Sequence, residues 1–514
     1  MNNLNDKFLS AVFAIKPPFF AFAGTAAAYY GFAPAYSSNN ALRIIFPFAL
    51  TLTALLSLLR VLDLHFRSNP EAPVLGYRFK QAYIAGIFFT LGFALGIAGR
   101  GAANNYSRVF LGLENDNIIA ISGKLYDDPR NTASGRGMAS LKLSASHGKK
   151  GLRTSARGNV PVFFPEGSIP RLKEFGRGSE IYIEGSFANT SSSYSKPPLF
   201  RAKSVHITRP ASRFDQWRTR IRLALIAAFP QSENWGGLAL ALLLGIRDNL
   251  DSELSEQYSN AGSSYILALS GMHLAIVSSI LAFFLKRPLG LKTAALVGTI
   301  FILVYVFLVG VLPSLVRAAI MYVLGATAII FALPSSAALT LGYSFIIQII
   351  MHPDSGGTIS FILSYLALAG ILSLGQGIAL LFRGRLPEFI GSSLSASLGA
   401  FIATMGVCAV FFGSLSPIGI VAGLILVPLT TIFMIGSIAY LTLHFLPFFP
   451  YIIGKGLAIL YTTLEITAKT AGRFPQISIS NVTFYTVSSI ILSVATIIVC
   501  KIIHEKRIYL ERFA

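Results

Sequence analysis

Charge is scarce in this chain of 514 residues: 12% of them are Asp, Glu, Lys or Arg, against 54% hydrophobic and a mean hydropathy of +0.64. That balance excludes a soluble globule and describes a polytopic membrane protein. Acidic charge is scarcer still, with 22 Asp and Glu against 42 Lys and Arg, a formal net charge of +20. Of the two cysteines, Cys408 and Cys500 fall far apart in apolar stretches, so neither a disulfide framework nor a metal or redox spacing is expected. No GxxxxGK[ST] phosphate loop occurs, so the chain is not expected to hydrolyse ATP.

What is abundant is apolar sequence in runs near the ~20 residues that a hydrocarbon core of about 30 Å requires of a helix. Candidate spans fall near 9–32, 41–61, 82–99, 263–285, 293–312, 315–333, 336–351, 358–382, 394–413, 417–442, 452–471 and 483–503. The first is too long for a signal-peptide core and carries Pro17 and Pro18, so it is expected to remain in place. Basic residues cluster at Arg60, Arg67, Arg78 and Lys80, at Lys286, Arg287 and Lys292, at Arg383 and Arg385, and at Lys501, Lys506, Arg507 and Arg512. The preference of short-loop Lys and Arg for the cytoplasm puts these clusters inside and residues 100–262 outside. If 443–471 lies in the interface instead of crossing, the C-terminus emerges outside.

Between the spans lies an island of different texture, residues 117–209. Strand-like pieces at IIAISGKL, ASLKLSASH, VPVFF, EIYIEGSF and RAKSVHI alternate with Gly, Pro, Ser and Asn. Five short strands in about 90 residues fit a small β-barrel of OB type, though other small β folds share the pattern. The island holds 15 Lys and Arg against 6 Asp and Glu, a surplus of +9. Lys149, Lys150, Arg153 and Arg157 in a Gly/Ser-rich loop can neutralise phosphates, and Phe163, Phe164, Tyr182 and Phe187 either offer faces for bases or fill the core.

After the island, WRTRIRLALIAAF places Arg218, Arg220 and Arg222 beside an apolar run, as in a helix lying in the membrane interface. GGLALALLLG, 236–245, is too short to span and suits a re-entrant or interfacial hairpin, whose backbone must be shielded by protein or line a cavity. Then comes YILALSGMHLAIVSSI, 265–280, where Ser270 and His273 interrupt an apolar run. An intramembrane histidine is a functional hypothesis by default. Its plain alternative is a hydrogen bond to a carbonyl of a neighbouring helix.

The order of features in LLGIRDNLDSELSEQYSNAGSSYILALSGMHLAIVSSIL resembles the core of the ComEC competence-channel family. There a leucine-rich segment ending in Gly-(Asp/Arg)-(Arg/Asp) precedes an amphipathic helix, a Gly and a helix with an Ile-Ser-Gly-Leu-His type signature. The counterparts here are Gly245, Arg247 and Asp248, then Gly262, then Leu269-Ser270-Gly271-Met272-His273, with Met in place of Leu. PSLVRAAIMYVLG around Arg317, HPDSGGTISFILSYLALAGIL around Ser360 and Ser364, and GSLSPIGIVAGLILVPLTTI continue the resemblance. ISGKLYDDPRNTASGRG and GSEIYIEGSF are similar to the family's extracellular OB-like domain.

The resemblance implies a channel taking single-stranded DNA across the bacterial cytoplasmic membrane. The fold it implies is α-helical and polytopic, with an inserted OB-like β-barrel outside the cytoplasm. Residues 1–100 would be N-terminal transmembrane helices, 117–209 the basic β domain, 213–262 interfacial and re-entrant segments, and 263–505 the competence-type transmembrane channel domain. Arg247, Asp248, Ser270, Gly271, His273, Arg317, Ser360 and Ser364 would line or gate the path, Asp248 also serving as a partner of Arg247. Arg317, about one turn after Pro313, is equally placed to snorkel to the interface, and the serines to pack helices.

Many relatives also carry a metallo-β-lactamase-like domain with an HxHxDH cluster; none of the seven histidines here has that spacing, so no catalytic zinc and no cofactor is expected. Partners would be single-stranded DNA, membrane lipids, a separate DNA receptor, a cytosolic motor or strand-capturing protein and a separate nuclease, the channel acting as a monomer or homodimer. Two other readings stand beside the channel. One is an exporter or flippase of an anionic lipid or glycan precursor. The other is an intramembrane enzyme with Ser270 as nucleophile and His273 as base, which lacks an evident orienting group and oxyanion donors.

Overall fold

A computed structural model describes residues 18–31, 73–107, 109–114, 117–132, 136–165, 167–188, 199–446 and 448–478, with positions 488 and 491. The expected span 41–61, most of 483–503 and the first half of 9–32 lie outside these residues. Among the described residues six helices are long and apolar enough to cross a membrane: Ile84–Ala103, Gly271–Val309, Pro313–Phe331, Ile359–Phe382, Glu388–Phe412 and Ile418–Thr442. The chain falls into two units, 1–106 with 334–358 and 107–333 with 359–514.

In the smaller unit, helix Pro18–Gly31 meets helix Pro73–Ser107 so closely that a methyl on Gly96 would stand 2.4 Å from the Thr25 carbonyl oxygen. Gly92 and Gly96, four apart, form the small-residue seam that lets membrane helices touch through their backbones. Ala337–Met351 is apolar but only 15 residues long. The turn that follows it, Pro353–Gly357, accepts a hydrogen bond from Tyr30 Oη at the Gly356 carbonyl, 2.9 Å.

The larger unit opens with the β domain. Its strands are β1 (Ile118–Leu125), β2 (Arg130–Asn131), β3 (Gly137–Gly148), β4 (Arg153–Ser155), β5 (Asn159–Phe164), β6 (Glu180–Phe187) and β7 (Phe200–Arg209), with helix Ile169–Phe175 between β5 and β6. Alternating burial runs along β3, β5 and β6, as period-2 patterning requires of strands with one face inward. Pairing runs β1-β6-β7-β5-β3, and β3 pairs back onto β1, so five strands close a ring. Within it β5 and β7 are parallel, and the other pairs are antiparallel. Ile121, Leu141, Val160, Val162, Phe164, Ile183 and Phe200 fill the interior.

The helical part begins with two helices in succession, Arg213–Ala228 and Asn234–Leu244. Every residue from Trp235 to Leu244 is buried, so the short apolar helix expected to be re-entrant is enclosed by protein rather than lying in the interface. At the turn between the two helices, Phe229 stacks on Tyr440, 5.6 Å between centroids, late in the Ile418–Thr442 helix.

Gly271–Val309 would measure about 58 Å if straight at 1.5 Å per residue. Yet a methyl on Gly271 would stand 2.9 Å from Arg317 Nη2, eight residues beyond Val309. The chain must therefore reverse within that helix. It does so after Pro288, at Gly290, whose φ of 75° and ψ of 168° belong to no helix. The two arms are the spans expected at 263–285 and 293–312, and their connection carries Lys286, Arg287 and Lys292. Phe449–Gly472 then runs back along Ile418–Thr442, and Ile477–Ser478 pairs with Ser414–Leu415. It traverses the bundle instead of lying across its end.

Arg218 joins the β domain to the bundle. Its side chain is 1% exposed and holds Asp128, in the turn after β1, by two hydrogen bonds of 2.9 and 2.6 Å. Its Nε donates to the Phe307 carbonyl at 2.7 Å, and Arg222 Nη1 donates to the Leu308 and Val309 carbonyls at 3.2 Å. Two arginines thus close the C-terminal carbonyls of a membrane helix, where cations are favoured. Arg218 and Arg222 thus face protein, and Arg220 is exposed.

Burial works to raise the Asp128 carboxyl, but the Arg218 hydrogen bonds and the charges of Arg222, Arg218 and Arg177 overcome it and hold it below its ordinary value of 3.8. A depressed carboxylate contributes its stability above 3.8 and loses it only as pH falls through the lower folded value. Docking of the β domain, followed by cross-linking between cysteines placed across the junction, is expected to persist through mildly acid pH and fail only below about 3.8. Asp128→Ala should destabilise the junction by about 3–5 kcal/mol, because it leaves the buried Arg218 guanidinium without its carboxylate, and Arg218→Ala should cost less, because Arg222 Nε still lies 3.6 Å from Asp128 Oδ2. The double variant should cost clearly less than the two single losses added, a coupling read by a double-mutant cycle of denaturation in detergent.

Candidate functional site

At the β-domain end of the bundle the chain brings polar side chains from several segments together. Ser270 N-caps the first arm of Gly271–Val309, and its backbone N–H donates to His273 Nδ1 at 3.0 Å. His273 thus occupies the third helical position, where a capping box ordinarily uses Glu or Gln to bond the N-cap amide. Because a backbone N–H can only donate, Nδ1 must accept, so the ring is neutral with its proton on Nε2. Nε2 is buried without a hydrogen-bond partner among the described residues. Ser270 Oγ also lies 3.0 Å from Nδ1, a nucleophile-to-base distance, but no described carboxylate contacts the ring to orient it.

Arg317 projects from the first turns of Pro313–Phe331 against Gly271. It is 7% exposed, so it does not snorkel, and its Cζ lies 5.8 Å from the ring centre of Tyr365. Tyr365 belongs to Ile359–Gly370, the helix that also carries Ser360 and Ser364. Ser360 Oγ lies 3.2 Å from Ser314 Oγ, joining the starts of two spans, whereas Ser364 is half-buried with no hydrogen bond among the described residues. Ser270, Gly271, His273, Arg317 and Ser360 therefore gather at one end of the bundle. Ser314 and Tyr365 are members that the sequence reading missed. A serine just after Pro313 and a tyrosine adjoining Ser364 were the available signals.

Arg247 and Asp248 diverge. Arg247 Nη2 donates to the Leu267 carbonyl at 3.0 Å, tying down the loop before Ser270. Asp248 does not pair with Arg247: its Oδ2 meets Lys173 Nζ of the β domain at 2.6 Å, and its Oδ1 accepts from the Asn131 N–H at 2.9 Å. A carboxylate in a passage for polyanions would repel them, whereas here it is neutralised and holds the β domain in place.

On the β domain, Lys149, Arg153 and Arg157 are exposed, and the Lys150 side chain lies outside the described residues. Phe164 and Phe187 are buried in the core, and Phe163 and Tyr182 are half-buried. Tyr182 meets the His147 ring edge-on at 5.0 Å, and His147 is paired across the ladder with Arg153. Burial and the Arg153 charge push the His147 imidazole below its ordinary value, leaving it uncharged at neutral pH. Phe110, 60% exposed, forms an isolated bridge with Arg157, placing an aromatic face beside a cation. Nothing in the strand patterning marked Phe110, which precedes the first strand.

The competence protein family model matches residues 242–506. The chain is 28% identical over 203 residues to ComE operon protein 3 of Bacillus subtilis (strain 168), covering 38% of this chain and 25% of that protein. It is 26% identical over 303 residues to an uncharacterized protein of Aquifex aeolicus (strain VF5), covering 56% of this chain and 69% of that one. The match thus spans about a quarter of the length of the Bacillus protein. No solved structure matches.

The capping geometry makes a definite demand on His273. His273→Ala should lower stability by about 1 kcal/mol through the lost cap, and His273→Gln should restore most of it, since glutamine can bond the same amide. Thermal unfolding of the two purified variants beside the parent checks the order.

Proposed function

Because the chain belongs to the competence protein family, we propose that it conducts one strand of DNA across the bacterial cytoplasmic membrane during natural transformation. The observation that carries this reading is the cationic, serine-lined seam of Ser270, Arg317, Ser314 and Ser360 at the end of the bundle where the basic β domain docks. The connection carrying Lys286, Arg287 and Lys292 and the loop carrying Arg383 and Arg385 both lie at the opposite end. This supports a cytoplasmic position for those loops and an external one for the β domain.

The β domain is read as an OB-type barrel. Five strands close in the ring β1-β6-β7-β5-β3, with β5 parallel to β7 and a helix before β6, and this supports the assignment. Its role is to receive the strand, with Lys149, Lys150, Arg153 and Arg157 meeting phosphates and Tyr182, His147 and Phe110 offering flat faces to bases. The seam acts by lining and gating, and the cap that Ser270 shares with His273 holds Ser270 in place along it. A separate receptor would deliver DNA, a separate nuclease would remove the other strand, and a cytosolic motor or strand-capturing protein would supply direction.

Two measurements test this. Cells lacking the gene should fail to import fluorescent DNA into the cytosol while still holding it at the surface; unchanged entry would sink the proposal. For the purified protein, the log–log salt dependence of single-stranded DNA binding should flatten by about 2 when Lys149, Arg153 and Arg157 are all replaced by Ser, because each phosphate neutralised on a single strand adds about 0.7 to the slope.

A further inference from the structure

We propose that Arg317 and the first turn of Gly271–Val309 form a buried binding site for a phosphodiester. The inference deepens the channel reading and rests on it for the source of the phosphate, since a lipid headgroup presents the same chemistry.

Arg317 is 7% exposed, and among the described residues its guanidinium makes neither an ion pair nor a hydrogen bond; its Nε is fully buried. Burying an ion costs several kcal/mol even after relaxation. The Tyr365 ring, 5.8 Å away, returns about 0.5–2 kcal/mol as a cation–π contact and leaves most of that cost unmet. The second neighbour makes matters worse. Arg317 Nη2 lies against Gly271, the first residue of a helix, and that end of a helix carries partial positive charge.

A cation set against the positive end of a helix in a buried place is unfavourable from both sides. Arg218 shows how this protein otherwise places a buried arginine: it meets a carboxylate and the carbonyl end of a helix. Arg317 has the reverse surroundings, and an oxyanion seated beside both the guanidinium and the helix end would turn both unfavourable terms favourable.

The donors for such an anion are present. The Gly271 and Met272 N–H groups lie in the first turn, where an α-helix provides no acceptor. The planar guanidinium matches a phosphate in a way that a point charge does not. Glycine at 271 lets the guanidinium approach the helix end, since a methyl there would stand 2.9 Å from Nη2. A site with one formal positive charge suits a singly charged diester.

The test uses the full chain in a phosphate-free maltoside detergent, with unfolding followed by the fluorescence of its two tryptophans. The probes are inorganic phosphate, a ten-residue thymidine oligonucleotide, and phosphatidylglycerol added to the micelle. Phosphate should raise the melting temperature of the parent, and the rise should vanish in Arg317→Met. In phosphate-free buffer Arg317→Met should melt no lower than the parent, because the uncompensated charge is gone. A phosphate response that persists in Arg317→Met, or a parent that responds to none of the probes, overturns the site.

If Arg317→Met does not fold, Gly271→Ala carries the test: a phosphate response several-fold weaker supports the site, and an unchanged one overturns it. A response to the oligonucleotide, without phosphatidylglycerol, that is lost in Arg317→Met assigns the diester to a strand. Response to phosphatidylglycerol and phosphate but not to the oligonucleotide keeps the site and assigns it to lipid. DNA entry in the gene deletion decides the channel reading separately, since the phosphate response does not depend on it.

Discussion

The pairing of Arg218 with Asp128 is the contact that ties this architecture together. A guanidinium 1% exposed is tolerable only when its charge and its donors are all answered, and here three elements answer them at once. The turn after β1 supplies a carboxylate, the end of the Gly271–Val309 helix supplies carbonyls, and Arg213–Ala228 supplies the arginine itself. The β domain, the Arg213–Ala228 helix and the first pair of membrane arms are thereby fixed to one point. Arg222 on the next turn and the Lys173–Asp248 pair hold the same junction from either side.

Two buried arginines, Arg218 and Arg317, show how surroundings decide what one side chain does. Arg218 sits at a helix C-terminus with an acid, and its role is structural. Arg317 sits at a helix N-terminus with an aromatic ring, so among the described residues its charge has no counter-ion. In an apolar medium there is little hydrophobic drive to hold helices together, and packing and polar contacts decide which faces meet. The same constraint explains why Trp235–Leu244 is enclosed on all sides, why Gly92 and Gly96 allow backbone contact, and why Ser314 and Ser360 bond each other.

The polar residues in apolar runs were legible in the sequence as a group, because any such residue has to be accounted for by a partner or a wet space. Their separate jobs were not. Ser270, Gly271 and His273 were singled out, but that His273 bonds the amide of its own N-cap follows from the rotamer and the start of the helix. Arg317 was poised between snorkelling and burial, since four residues after a proline place it near a helix end without saying which way it points. Arg218 and Asp128 lie 90 positions apart, and no local pattern links them. Asp248 looked like a companion of Arg247 because it is adjacent, whereas adjacent side chains diverge and each found a partner elsewhere.

Sequence alone was enough to establish a membrane protein with a basic β insertion, and it marked the family through the spacing of its polar signatures. Those properties are local or compositional: span length, period-2 alternation and net charge need no knowledge of which segments touch. It took the packed fold to close the strands into a ring, to reverse the chain at Gly290 and to gather Ser314, Arg317, Ser360 and Tyr365 beside Ser270. The cause is physical: a charge or hydroxyl in an apolar setting takes whichever partner the packing of distant helices brings within hydrogen-bond reach.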